Sequence, residues 1–221
     1  MSDTDRELGA RNPDAAWMRR ALELAENGRG SAAPNPVVGA ILVRDGRLVG
    51  EGFHRGPGTP HAEAAALAQA GELARGATLY TTLEPCAHFG RTPPCTQAIV
   101  GARVARVVSA IRDPHAIVDG KGFARLSEAG IRLSEGVLAA EVARQLEAYT
   151  KHVTTGIPFV VLKMAATLDG KVAARDGTSR WITGEAARAD AHRLRAASGA
   201  VLVGSGTALA DDPSLTVRDA T

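Results

Sequence analysis

The sequence predicts an α/β fold in which helices cover both faces of a sheet. Three features carry that expectation. Strand-like and helix-like segments alternate along the chain. Ala, Val and Gly are abundant while aromatic residues make up only 4%, which suits close packing of helix on sheet. Asp45-Gly46 joins two apolar runs in the manner of a two-residue hairpin turn.

Taken in order, Asn12-Pro13 reads as a cap followed by a first-turn proline, opening a helix through DAAWMRRALELAEN that Gly28 stops. Ala16, Met18, Ala21, Leu22 and Ala25 fall roughly on one helical face. SAAPNPVVG is a proline-rich loop feeding the hairpin AILVRDGRLVGEGF. Thr59-Pro60 begins a second helix, HAEAAALAQA, with His61 and Glu63 in its first turn and Gly71 at its end. ATLYTTL is a strand running into TLEPCAHFGRTPPC, and a short helix starts near Pro94 through CTQAIVGA. A buried strand VARVVSAI, a helix GFARLSEAG, a strand or loop IRLSEGV and a long amphipathic helix LAAEVARQLEAYTKHV follow. The register changes at TTGIPF. Beyond it VVLKMAATLDG reads as a strand, TGEAARADAHRLRAAS as a helix capped by Thr183, and GAVLVG as another strand. Two domains are expected, residues 1–150 and the opening of a second α/β domain over 151–221.

Composition narrows the function. Hydrophobic residues at 45% and charged residues at 23% are ordinary for a globular protein, and a net charge of +2 supplies no field for nucleic acid. The opening MSDTDRELGARNPD is polar and acidic where an export signal needs an apolar core. PFVVLKMAATL, broken by Lys163, is too short to span a bilayer. The expectation is a cytoplasmic protein with neither nucleic acid nor membrane as partner. In that reducing compartment two cysteines do not form a structural disulfide.

Both cysteines, Cys86 and Cys95, lie in TLEPCAHFGRTPPC, downstream of His61 and Glu63. H-x-E, then P-C, then a second Cys is the arrangement of zinc deaminases, where His and two Cys hold Zn²⁺ and the Glu moves protons. Eight residues separate these cysteines instead of the usual two. The first follows a strand and the second opens a helix, so an inserted loop displaces neither. A helix N-terminus also favours the thiolate that metal binding requires. Three protein ligands leave a fourth position for water, which is the catalytic arrangement. A structural zinc would need another ligand, and His88, two residues from Cys86, more naturally faces substrate. Alone, His61 would be a cap or surface residue and Glu63 an ordinary first-turn acid. Matched in order, the four point to a catalytic zinc with Glu63 as proton carrier. Two thiolates and an imidazole suit zinc, although iron accepts the same donors.

PNPVVGA, GEGFH, GTPHAEAAAL, LYTTLEPCAHFGRTPPC and VVSAIRDP together resemble the bifunctional deaminase–reductase family of riboflavin biosynthesis, over nearly the whole chain from Trp17 to Arg218. Cytidine and tRNA-adenosine deaminases share H-A-E, but their cysteines typically sit two residues apart. The resemblance implies a cytidine-deaminase-like three-layer α/β/α domain, followed by the start of a dihydrofolate-reductase-like domain that uses NADPH. It implies hydrolytic deamination of 2,5-diamino-6-(5-phosphoribosylamino)pyrimidin-4(3H)-one, and in the full-length family reduction of the ribosyl chain to ribityl. Asn35 is then expected to hydrogen-bond the pyrimidine edge, a task for a group that both donates and accepts; on its own it reads as a turn residue before proline. His54, His88, Arg91 and Thr92 are weaker candidates for substrate or phosphate, and Arg91 reads equally well as a solvated loop residue.

In the second domain the resemblance places NADP contacts on Ala165, Trp181, Thr207 and Asp211. Substrate contacts fall on Ser179, Arg195, Leu215 and Arg218, where a guanidinium fork matches phosphate oxygens. From the residues alone Arg195 is a helix C-terminal charge and Trp181 a packing residue. Asp-Pro-His-Ala at Asp113–Ala116 departs from the family's D-P-N-P. The family's reductase domain runs well past Thr221, so that half is expected to be incomplete and inactive here, while the deaminase half folds and turns over substrate. A homo-oligomer is compatible with the family. The competing readings are a nucleoside or tRNA-base zinc deaminase and a non-catalytic zinc-stabilised assembly module.

Overall fold

The computed structural model describes Pro13 to Arg218. The proposed Asn12 cap lies outside those residues. The chain forms two compact units that divide between Phe159 and Val160.

The first unit opens with helix α1 (Pro13–Ala25), extended by a 3-10 turn to Gly28. Strands β1 (Gly39–Arg44) and β2 (Arg47–Phe53) then form the expected hairpin. Asp45 and Gly46 both have positive φ, 51° and 72°, the conformation that matches the twist of the flanking strands. Helix α2 (Ala62–Ala70), β3 (Thr78–Leu83), α3 (Cys95–Gly101), β4 (Arg106–Ile111), α4 (Lys121–Glu128) and β5 (Arg132–Glu135) follow. The sheet order is β2-β1-β3-β4-β5. β1 runs antiparallel to β2 and β3, whereas β3, β4 and β5 are mutually parallel. IRLSEGV therefore contributes a true strand.

Glycines let the helices lie directly against the strands. A Cβ on Gly39 would stand 1.9 Å from the Ala21 carbonyl oxygen of α1. On the strands' other face, Cβ atoms on Gly50 and Gly52 would stand 2.3 Å and 2.5 Å from the Ala66 and Ala62 oxygens of α2. So α1 and α2 cover opposite faces. α3 packs on α2 and α4 on α3. Helix α5 (Ala139–Gln145) packs on β4, and its Gln145 Nε2 donates to the Leu22 carbonyl of α1, 3.0 Å away. Three layers result, with Met18, Ile41, Leu42, Leu79, Ile99 and Val107 fully enclosed.

In this unit two expectations need correcting. The long helix LAAEVARQLEAYTKHV is broken into α5 and α6 (Glu147–Thr155) at Leu146, whose φ and ψ are −99° and 11°. Buried Val142 and Leu146 hold α5 on the core, while α6 turns away and sets the Tyr149 hydroxyl 3.0 Å from Asp113. The second helix begins at Ala62, with His61 as its extended N-cap residue (ψ 162°) and not inside its first turn.

In the second unit, α7 (Glu185–Ala196) and α8 (Ser205–Asp211) form. VVLKMAATLDG and GAVLVG do not become strands among the described residues. A strand needs a neighbouring strand's N–H and C=O groups, and the backbone bonds of the first segment only close a turn, Thr167 to Lys171 at 2.8 Å and Gly170 to Thr167 at 2.9 Å. Val160, Leu162 and Leu202 are 78%, 82% and 97% exposed. Gly184, not Thr183, precedes α7, and the Thr183 carbonyl instead accepts from Arg188 Nη1 at 2.6 Å. No helix among the described residues is long and apolar enough to cross a membrane.

Candidate active site and metal centre

Three chain segments converge beyond the C-terminal end of β3. The ladder between β3 and β4 is prolonged by Glu84, whose N–H donates to the Ile111 carbonyl at 3.1 Å, and two residues later the chain presents Cys86. The opening of α3 fixes that cysteine: the Cys95 N–H donates to Cys86 Sγ at 3.3 Å and the Thr96 N–H to the Cys86 carbonyl at 3.1 Å. α2 supplies His61 and Glu63. His61 Nδ1 lies 3.2 Å from Cys95 Sγ and 3.6 Å from Cys86 Sγ, and all three donor atoms fall within 4.8 Å of one another. A tetrahedral zinc with Zn–S near ~2.3 Å and Zn–N near ~2.0 Å separates its donors by about 3.5–3.8 Å. The donor set and its spacing fit that ion. His61 Nε2 faces Thr92 Oγ1 at 3.3 Å, so the hydroxyl can take the N–H that remains when Nδ1 serves as ligand.

Electrostatics follow from this crowding. The hydrogen bond between the two thiols holds Cys86 down, to about 4, despite its burial. The same bond, reinforced by burial, pushes Cys95 up. The Cys86 hydrogen bond also raises His61, against desolvation. Glu63 is 3% exposed, and burial, aided by the neighbouring Cys86 charge, pushes its carboxyl up to about 7. Cys95 Sγ donates to Glu63 Oε2 at 3.4 Å. A proton-carrying acid thus stands beside the three donors.

A cavity of about 540 Å³ reaches His61, Glu63 and Cys86. Asn35 and His54 line it together, Asn35 Nδ2 lying 2.9 Å from His54 Nε2. His54 Nδ1 faces the Pro60 carbonyl at 3.3 Å, an oxygen that can only accept. Nδ1 therefore carries the proton, Nε2 accepts from the Asn35 amide, and Oδ1 of Asn35 is left for a ligand. Burial lowers the His54 pKa and keeps the ring neutral. His88, Arg91 and Thr92 line the cavity from the loop between the cysteines. Asp113, His115 and Val118 form another wall, with Tyr149 and His152 reaching it from α6. Sequence reasoning passed over Glu84, Tyr149 and His152. The place of Glu84 immediately before Pro-Cys at a strand end was the one available signal; the α6 residues carried none.

The second unit gathers its candidates only in part. Ser179 and Trp181 line a shared cavity with Thr167 and Arg180, and the Arg188 guanidinium stacks 4.3 Å from the Trp181 ring. Arg195 Nη1 donates to the Thr216 carbonyl at 2.7 Å, beside Leu215, and the Arg218 N–H donates to His192 Nδ1 at 3.1 Å. Thr207 and Asp211 lie on α8, and Ala165 lies in the irregular segment before Thr167. None of these three lines the Ser179–Trp181 cavity.

Comparison with known proteins extends this picture. Residues 11–111 match the cytidine and deoxycytidylate deaminase zinc-binding region, and residues 158–221 match the RibD C-terminal domain. The riboflavin biosynthesis protein RibD of Escherichia coli is 51% identical over 205 residues, covering 93% of this chain and 56% of that protein. Acinetobacter baumannii RibD (form 1) superposes with a TM-score of 0.88 at 52% identity, over 93% of this chain and 58% of that one. A diaminohydroxyphosphoribosylaminopyrimidine deaminase/5-amino-6-(5-phosphoribosylamino)uracil reductase from Thermotoga maritima gives a TM-score of 0.89 at 47% identity, over 93% and 59%. The chain spans somewhat more than half the length of these relatives. Matched to RibD proteins in sequence and in fold across nearly all of its own length, and carrying both a deaminase zinc-binding region and a RibD C-terminal segment, the chain belongs to the RibD family.

Proposed function

We propose that this chain hydrolyses the 2-amino group of 2,5-diamino-6-(5-phosphoribosylamino)pyrimidin-4(3H)-one, releasing ammonia and leaving the pyrimidinedione. One observation carries the reading: His61, Cys86 and Cys95 converge within bonding distance of one ion, and a buried carboxyl, Glu63, stands beside them at the cavity. Zinc held by these donors supplies the Lewis acidity that makes water a nucleophile at neutral pH. Glu63, buried beside those donors, takes one proton from the water and gives it to the ring nitrogen, then takes the proton of the hydroxyl so added and gives it to the amine, which leaves as ammonia. Asn35, oriented by His54, offers its amide oxygen to a donor on the pyrimidine edge. Arg91 and His88, on the exposed loop, face the phosphoribosyl end. The two free thiols accord with a reducing cytoplasm.

Of the proposed NADPH contacts, Trp181 lines the cavity shared with Ser179, whereas Ala165, Thr207 and Asp211 do not. Ammonia release, assayed separately on the phosphoribosylaminopyrimidine, on cytidine and on tRNA, tests the substrate. Turnover confined to the first supports the proposal, and turnover confined to either of the others refutes it. Glu63→Gln separates enzyme from assembly module: turnover falls at least a thousandfold while zinc stays bound, whereas an assembly module loses nothing.

A further inference from the structure

The cavity's far wall is fastened to the metal-bearing strand end by one side chain. Glu84 is buried, 4% exposed, and its carboxylate accepts four backbone N–H groups. Oε2 takes those of Asp113 (3.2 Å) and Gly120 (2.9 Å); Oε1 takes those of Gly122 (2.8 Å) and Phe123 (3.3 Å). Gly120 is the N-cap of α4 and has no side chain to cap its own helix, so Glu84 caps it from a neighbouring strand. Gly122 admits the approach, since a Cβ there would stand 1.9 Å from the Pro85 carbonyl oxygen. Asp113, tied by its N–H, begins the segment through Val118 that lines the cavity. Cys86, two residues from Glu84, has separate anchors in the Cys95 and Thr96 N–H groups.

From this division we infer that Glu84 is a positioning residue for substrate: it sets the distance between the Asp113–Val118 wall and the metal centre without holding the metal. Only an acceptor-only group fits, because a carboxamide would turn its own hydrogens against one pair of donors. The inference rests on the deaminase reading above.

In the zinc-loaded full chain, Glu84→Gln raises KM at least tenfold, changes kcat less than threefold and retains the wild-type zinc content. Glu84→Ala raises KM further. Zinc loss in Glu84→Gln, or a fall in kcat with KM unchanged, overturns the inference. Amide exchange in the wild-type protein decides the case should the variants fail to fold. The Asp113, Gly120 and Gly122 amides exchange at least a hundredfold more slowly than in an unstructured peptide, and exchange at peptide rates overturns the inference. A wild-type chain that binds zinc but shows no turnover on the pyrimidine sinks the deaminase reading instead, and the exchange result then stands on its own.

Discussion

Gly52→Ala puts a steric wedge under the helix that presents His61 and Glu63. The new Cβ would meet the Ala62 carbonyl oxygen at 2.5 Å, the Ala65 Cβ at 2.7 Å and the Ala66 nitrogen at 2.7 Å. These neighbours are backbone or the stub of a short side chain, so nothing can rotate aside. Relief requires α2 to lift by about 0.7–1 Å, and overpacking of this kind costs about 1–3 kcal/mol. Ala62 follows His61 directly, so the lift falls on the metal ligand and on Glu63 together. A displacement near ~1 Å at a catalytic group costs about a hundredfold in rate. Gly50→Ala is the control: its Cβ would meet the Ala66 oxygen at 2.3 Å and Ala70, near the other end of the same helix. Both variants lose comparable thermal stability, but Gly52→Ala loses about 30–100-fold in kcat and binds zinc more weakly, while Gly50→Ala loses less than tenfold. Melting by circular dichroism, chelator competition for zinc and ammonia release measure the three quantities. Wild-type kcat and zinc affinity in Gly52→Ala would refute the reasoning.

Thr92→Ala removes the group facing His61 Nε2 and weakens zinc binding by about tenfold, read by chelator competition, with the melting temperature of the zinc-free protein unchanged. Arg106 donates two hydrogen bonds to Asp14, at 3.0 and 2.7 Å, and holds its carboxyl below the ordinary 3.8. The folded value being the lower one, this stabilisation is complete above about pH 4 and fades as pH falls through the folded value. Asp14→Asn therefore lowers stability by about 1–2 kcal/mol at pH 7, or about 3–6 °C in Tm. The gap between variant and wild type closes in acid, which denaturant melts across pH 2–7 would show.

The deaminase-like half was legible because each of its devices is local. Asp45-Gly46 dictates its turn, Gly71 its helix end, and His61, Glu63, Cys86 and Cys95 their chemistry through residue type and order. What escaped depends on contacts between distant segments. Glu84 looks like any acid before a proline until the chain returns at Gly120 and Gly122 to donate to it. Tyr149 belongs to the cavity only because the helix breaks at Leu146, and an amphipathic pattern does not register that break when buried Val142 and Leu146 keep its four-residue spacing right up to it. The second unit shows the opposite failure. Val160–Leu162 and Val201–Val203 have apolar strand patterns, yet pattern alone supplies no neighbouring strand, and both segments remain irregular and largely exposed.

X-ray absorption at the zinc edge, on protein purified with zinc, tests most directly whether one ion joins the three converging side chains. One zinc per chain is expected, with two sulfur neighbours near ~2.3 Å and the remaining nitrogen or oxygen neighbours near ~2.0–2.1 Å, and with one sulfur lost in Cys95→Ser. Zinc surrounded only by oxygen and nitrogen, or the same spectrum after Cys95→Ser, would contradict it.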